Sequence, residues 1–248
     1  LLKDTKPSEC IHCAGRATVG GSIIQPFEDF LQGPQLTFYV LDCLHEFVPE
    51  CKYLLLSSAA VYGNPVKVPI DEGLEPSPIS PYGFHKWQSE IICREFNQIY
   101  GIPTASVRIF SAYGPGLRRQ VVYDICRKII FERQVQLQGT GLESRDFIFV
   151  TDVARGLEAV ITNGELIGET YNLSSGIRTT IRDLVELIQV KMNISREVYF
   201  DGFNPVGNPL VWQADISKMQ RLGFSPQVTL DEGIETTALW CKSELMRL

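Results

Sequence analysis

No stretch of the 248-residue chain approaches the roughly 20 consecutive apolar residues that a bilayer-spanning helix requires. The opening "LLKDTKPSEC" lacks the basic region and long apolar run of a secretory leader. The expected compartment is therefore the cytoplasm, with no membrane partner. A long block of one charge sign is also missing. The 23 basic and 29 acidic residues give a formal net charge of -6, which offers no footprint for nucleic acid. Cysteine is sparse and odd in number: Cys10, Cys13, Cys43, Cys51, Cys93, Cys126 and Cys241 fall mostly in apolar runs. Reduced thiols there act as small hydrophobes, so no disulfide framework is expected. "CIHC" at 10–13 is the single C-x-x-C, and without a second ligand pair it does not close a zinc site. No metal is expected.

Several motifs are absent too. "GRATVGGS" (15–22) comes one residue short of a phosphate-cradling G-x4-G-K-[ST] loop, with Gly21 where the lysine belongs. Without that cation a nucleoside triphosphatase is excluded, and the segment reads as a turn or as the backbone-lined edge of a ligand crevice. There is no G-x-G-x-x-G and no G-x-S-x-G nucleophile elbow, and none of His12, His45 and His85 has an evident serine or acid partner in the sequence.

What is present is alternation. "CIHCAG", "KYLLLSS", "TASVRIF" and "DFIFV" are short apolar runs, separated by longer helical patterns such as "TFYVLDCLHEF", "HKWQSEIICREFNQIY" and "DVARGLEAVI". Strand and helix in turn predict an α/β fold with a parallel sheet covered on both faces. Gly101 and Pro103 supply a helix stop, and Asp152, Thr180 and Asp215 are placed to start later helices. Past residue 114 the regular alternation breaks, with "LRRQVVYDICRKIIFER" reading as helix and "QVQLQGTGLESRDF" as strand and loop. A smaller second unit that interleaves with the first accounts for this.

"SPYGFHK" places Tyr82 four positions before Lys86, on one face of a predicted helix. Taken alone, that spacing favours a core tyrosine and a solvated lysine. "LLLSSAAVYG" ends an apolar strand in Ser57 and Ser58, 24 residues before Tyr82 across a Pro-rich loop. A strand-end serine followed by tyrosine and lysine one turn apart is a far more specific pattern than any one of the three. Its chemistry is proton transfer coupled to hydride transfer. A tyrosine titrates near ~10 and is a poor base at neutral pH, but a nearby ammonium favours the phenolate, and the serine hydroxyl can orient the reacting oxygen.

In the order "IHCAG", "SSAAVYG", "SPYGFHK", "VRIFSAYGPG", "GTGLESRDFIFVTDVA", "YNLSSG" and "ADISKMQRLGF", nearly the whole chain resembles the extended short-chain dehydrogenase/reductase family. These are the NAD-dependent nucleotide-sugar epimerases and dehydratases, and the chain is most similar to the UDP-glucose 4-epimerase branch. The resemblance implies a Rossmann-like doubly wound parallel sheet, N-terminally incomplete here, with an interleaved α/β substrate unit. Residues 1–113 and 146–175 would form the dinucleotide part, and residues 114–145 and 176–248 the nucleotide-sugar part. It implies Tyr82 as catalytic acid/base, Lys86 as the group that lowers its pKa and binds nicotinamide ribose, and Ser58 as the third member. Cys13, Ala14, Gly15, Arg16, Gln32, Ser57 and Phe110 would border the dinucleotide with Tyr82 and Lys86. Ser58, Ala59, Ser111, Arg118 and Arg145 would meet the nucleotide-diphosphate sugar, with Arg145, aided by Arg118 or Arg119, on the diphosphate.

The departures from the family pattern are informative. The glycine-rich βαβ unit that opens the family does not precede "IHCAG". Either the sequence is part of a longer protein, the reading adopted here, or it does not bind dinucleotide in the usual way. The residue that reads the adenosine ribose belongs to that unit, so NAD is expected with NADP not distinguished from it. Gln32 and Ser111 replace asparagines of the family, and "NPVGNP" lacks its arginine. Ala59 and Ala60 stand where dehydratases carry an acid, which favours a 4-epimerase. A 4-ketoreductase or dehydrogenase using NADP(H), and a non-catalytic dinucleotide-binding scaffold, remain the alternatives. Two apolar stripes on the Tyr82 helix, Trp87 with Ile91 and Ile92 with Phe96, suggest a homodimer packed through that helix and "TFYVLDCLHEF".

Overall fold

The computed structural model describes residues 2–203, 207 and 209–246. A short helix α1 (Leu2–Thr5) leads into β1 (Glu9–His12), then α2 (Val19–Ile24), α3 (Pro26–Phe30), a π-helical turn at Leu31–Gln35 and α4 (Leu36–Phe47). Next come β2 (Lys52–Ser58), a 3-10 turn at Ala59–Tyr62, the long helix α5 (Pro81–Tyr100) and β3 (Thr104–Ile109). The chain continues through β4 (Ser111–Tyr113), α6 (Gln120–Phe131), β5 (Gln134–Leu137), β6 (Ser144–Phe149), α7 (Val150–Asn163) and β7 (Ile167–Leu173). It ends with β8 (Arg178–Thr180), α8 (Ile181–Met192), β9 (Glu197–Phe200), α9 (Ser217–Arg221) and α10 (Leu230–Leu245).

Strands β1, β2, β3 and β7 pair in that order, all parallel. The centre of "KYLLLSS", Tyr53–Leu56, is continuously apolar because successive side chains point to opposite faces and both faces are covered. Tyr53 and Leu55 pack with Leu41 and Leu44 of α4 and with Cys93 and Phe96 of α5. Leu54 faces the other way, with Val107, Leu173 and the α7 residues Leu157 and Val160. A separate core gathers Val122, Ile125 and Ile129 of α6, Leu184 and Ile188 of α8, and Ile234 and Cys241 of α10. Strand β6 serves both cores: Phe147 and Phe149 enter this one, while Ile148 points into the sheet core. β4 runs parallel and β8 antiparallel to β6, and β5 pairs in parallel with β9. No helix among the described residues is long and apolar enough to cross a membrane.

The helix signals resolve individually. Gly101, at φ 72°, ends α5 in the left-handed conformation that glycine adopts without strain, and Thr180 caps α8 by accepting from the Asp183 amide. Asp152 is not the cap expected of it. It lies inside the first turn of α7, and its carboxylate accepts from the amides of Gln227 and Val228, so it ties the segment before α10 to this helix. "GRATVGGS" is only partly a turn: Thr18 caps α2, which starts at Val19.

Candidate active site

Because the four paired strands are parallel, their carboxyl ends share one edge, where ligand crevices of open α/β sheets form. Cys13–Arg16 follow β1, Ser58 closes β2 and Phe110 follows β3. Helix α5 is pinned over this edge. Ser80 caps it through the Gly83 amide, Pro81 occupies its first turn, and the Tyr82 amide donates to Ser22 Oγ at 3.0 Å. Gly83 is required for close approach, since a Cβ there would stand 2.5 Å from the Ala60 carbonyl oxygen.

Ser58, Tyr82 and Lys86 come together at this edge. Ser58 Oγ accepts from the Ala60 amide at 3.2 Å and stands beside the Tyr82 hydroxyl. Lys86 Nζ lies 5.9 Å from the Tyr82 ring centroid and donates to the Leu56 carbonyl at 2.7 Å. Burial pushes the Tyr82 phenol above its ordinary value; the neighbouring Ser58 hydroxyl draws it down, the Asp29 charge raises it and the Arg119 charge lowers it. The expected depression by Lys86 is thus not what sets the balance here: burial dominates, and the ammonium is turned onto a backbone carbonyl. Burial also lowers the Lys86 ammonium, opposed by Asp29, then Glu90 and Cys93.

Below the trio runs a buried polar chain that sequence reasoning missed. Ser57 Oγ donates to Glu90 at 2.5 Å. Arg108 reaches Glu90 through Nε and a terminal nitrogen, the latter at 2.7 Å, and donates to the Tyr62 hydroxyl at 2.7 Å. Tyr62 donates in turn to Asn172 Oδ1. The available signal was an arginine inside the apolar run "SVRIF" together with a glutamate one turn after Lys86. A second omission concerns His85, which does have an acid partner: its Nδ1 lies 2.6 Å from Asp29 Oδ2.

The other expected residues divide into groups. Cys13, Ala14 and Gly15 form an exposed ledge of small side chains. Gly15, at φ 125°, packs so closely on the π-helical turn that a Cβ would stand 2.8 Å from the Gln32 carbonyl oxygen. Arg16 is tied to Gln25 at 3.0 Å. Phe110 is buried between Tyr62 and Trp212. Ser111 lines a small cavity of about 30 Å³ with Tyr113, Arg119 and Gln120. Arg118 ion-pairs with Glu244 of α10, which leaves Arg119 as the arginine at the cavity. Arg145 stacks over Trp212 at 5.6 Å and donates to the Ser144 carbonyl, and its burial draws it down to about 10. It makes no ion pair among the described residues, so its guanidinium is available for an anion. The segment "NPVGNP" lies largely outside the described residues.

This edge suits the nicotinamide end of a dinucleotide. The ledge before Arg16 admits a flat group close to the backbone, and a lysine has three N–H donors, one of which Lys86 places on Leu56.

Residues 1–174 match the family described as NAD dependent epimerase/dehydratase. A UDP-glucuronate 4-epimerase of Thermodesulfobacterium geofontis is 28% identical over 242 residues, 96% of this chain and 73% of the relative. A dTDP-glucose 4,6-dehydratase of Escherichia coli is 30% identical over 273 residues, again covering 73% of the relative and 95% of this chain. Among solved structures, the UDP-glucose 4-epimerase of Thermotoga maritima, determined with UDP-glucose, superposes with a TM-score of 0.92 at 26% identity, over 98% of this chain and 80% of that one. Both the fold and the enzyme class implied by the motifs are therefore those of the chain, which belongs to the NAD dependent epimerase/dehydratase family, within the extended short-chain dehydrogenase/reductases.

Proposed function

We propose that the protein is a nucleotide-sugar 4-epimerase working through a transient 4-keto sugar. The observation that carries this reading is the meeting of Ser58, Tyr82 and Lys86 at one sheet edge, with Lys86 Nζ 5.9 Å from the Tyr82 ring centroid one turn along α5. Tyr82 takes the proton of the sugar 4-hydroxyl as the C4–H bond breaks, and returns it when hydride comes back to the opposite face. Bound NAD supplies the hydride acceptor and, reduced, the donor, so no net redox results. Ser58 holds the reacting oxygen against Tyr82, and Arg145 meets the diphosphate. Elimination of water is disfavoured because Ala59 and Ala60, both buried, put no acid beside Ser58. In this reading residues 1–113 and 146–175 serve the dinucleotide and residues 114–145 and 176–248 the sugar nucleotide, a division supported by the separate core around α6, α8 and α10.

The test is incubation with NAD and UDP-glucose, UDP-galactose or UDP-glucuronate, with separation of the 4-epimers. Interconversion without a rise in absorbance at 340 nm is expected. A 4-keto-6-deoxy product, or stoichiometric consumption of NADPH, would replace the epimerase by a dehydratase or a reductase, and no turnover would favour a scaffold.

The reading includes a homodimer through α5 and α4, with half of each expected stripe turned into the protomer's own core. Trp87 packs inward against the Ala59–Tyr62 turn and Phe96 is buried with α4. The outward face instead exposes Ile91 and Phe38, which border an apolar hollow of about 360 Å³ with Phe30, Pro34 and Ile92. Apolar surface of this kind gains free energy when a second copy covers it. Ile91→Glu is expected to shift a dimer to a monomer in light scattering at micromolar concentration. An unchanged mass, dimeric or monomeric in both proteins, removes this interface.

A further inference from the structure

Trp212 has no part in the chemistry proposed above, yet it is the aromatic surface on which Arg145 lies. The guanidinium carbon stands 5.6 Å from the indole ring centroid, within the ~6 Å over which a cation is drawn to an aromatic face. Arg145 Nη1 donates to the Ser144 carbonyl at 2.9 Å, and the Trp212 amide donates to the same oxygen at 3.1 Å. One carbonyl therefore aligns the arginine and the residue beneath it. The other N–H groups of the guanidinium meet no acceptor among the described residues, and their planar fork matches the oxygens of a phosphate.

The indole is itself held from several directions. Its Nε1 donates to the Gly63 carbonyl at 3.1 Å, and its ring meets Phe110 edge-on, 5.9 Å between centroids. Its backbone runs beside β6: Ser144 donates to the Leu210 carbonyl at 2.9 Å, and Ala214 donates to Asp146 Oδ2 at 2.9 Å. Asp146 is 0% exposed, and its Oδ1 accepts from the hydroxyls of Ser174 and Ser175, so this anchor is fixed. Gly63 closes the Ala59–Tyr62 turn, which Ser58 caps. Trp212 thus spans the distance from the Ser58 turn to Arg145. It is 8% exposed and packs with that turn, but packing alone does not call for a guanidinium over the ring. An apolar side chain at 145 would fill the space without a charge that lacks a counter-ion.

We propose that Trp212 is a positioning residue for Arg145, holding the guanidinium against its ring with the unbound N–H groups free for a diphosphate, at a span from the Ser58 turn that the Gly63 contact sets. This rests on the diphosphate role given to Arg145 above, but its test does not need turnover. Titration calorimetry of the full chain with UDP, and with uridine as the phosphate-free reference, reads it directly. Arg145→Ala is expected to weaken UDP binding about ten-fold or more. Trp212→Leu should weaken it about five-fold, but less than about two-fold once Arg145 is alanine, because a position already lost cannot be lost again. Trp212→Phe keeps an aromatic face and should bind UDP within about two-fold of wild type. Uridine should bind every variant alike. Equal losses from Trp212→Leu in the two backgrounds, or no loss in either, overturn the proposal and leave the tryptophan a packing residue. If Trp212→Leu does not fold, Arg145→Lys carries the test, since it keeps the charge but not the flat group that stacks on the ring. A loss comparable to that of Arg145→Ala supports the proposal, and affinity within about two-fold of wild type overturns it. UDP that binds wild type no better than Arg145→Ala removes the diphosphate role of Arg145 and this inference with it. Coupled losses in UDP binding without any epimerase activity would sink the 4-epimerase reading and leave this one standing.

Discussion

Replacing Tyr82 with Phe is expected to lower kcat by about 10² to 10⁴-fold, with the fold retained. The change removes one oxygen. The ring belongs to the cluster formed by Ala59–Tyr62, Phe110 and Trp212, and phenylalanine fills the same volume, so the packing that orients α5 survives. What is lost is the hydroxyl beside Ser58, a structural cost of at most about 1 kcal/mol, along with the group that would carry the sugar proton. The two consequences separate by measurement: kcat should collapse, while the thermal midpoint falls by only a few degrees, about what 1 kcal/mol produces in a domain of this size. Turnover within two-fold of wild type would remove Tyr82 from the chemistry. An equally deep loss of stability would mean that the hydroxyl is structural.

Sequence reading reached the parts of this molecule governed by local pattern. The largely apolar runs "KYLLLSS" and "TASVRI" became the central parallel strands because both of their faces are covered, and the tyrosine–lysine spacing fell on one helix whose cap, Ser80, is also local. It failed where a side chain's partner lies far away in the chain. Asp29 and His85 are 56 residues apart and meet only because α3 packs across α5. Asp152 looks like a cap until the chain returns at Gln227 and Val228 to use its carboxylate. Trp87 and Ile91 share a stripe on paper, but the 3-10 turn at Ala59–Tyr62 fills the space beside Trp87 and leaves Ile91 outside. Helical periodicity says which residues are neighbours on a helix, not how wide a face the rest of the fold will cover.

Arg108→Met is expected to cost about 3–5 kcal/mol in urea unfolding, because it strands a charge that has no route to water. Arg108 is 1% and Glu90 0% exposed, and the guanidinium holds both carboxylate oxygens, at 2.7 Å to Oε2. Removing the arginine leaves Glu90 with Ser57 alone and takes from Tyr62 the donor that fixes its hydroxyl toward Asn172. Pairing Arg108→Met with Glu90→Leu should recover most of the loss, since an apolar pair of similar volume carries no desolvation penalty. A single mutant costing under about 1 kcal/mol would mean that water reaches Glu90. The activity of the rescued double mutant then decides what the ion pair is for. It joins β3 to α5 one helical turn beyond Lys86, and it has two directional contacts where an apolar pair has none. If stability returns while kcat stays low, the charges are there to set the rotation of α5 over the carboxyl edge, and with it the reach of Lys86 and Tyr82. If both return together, packing alone sets that rotation.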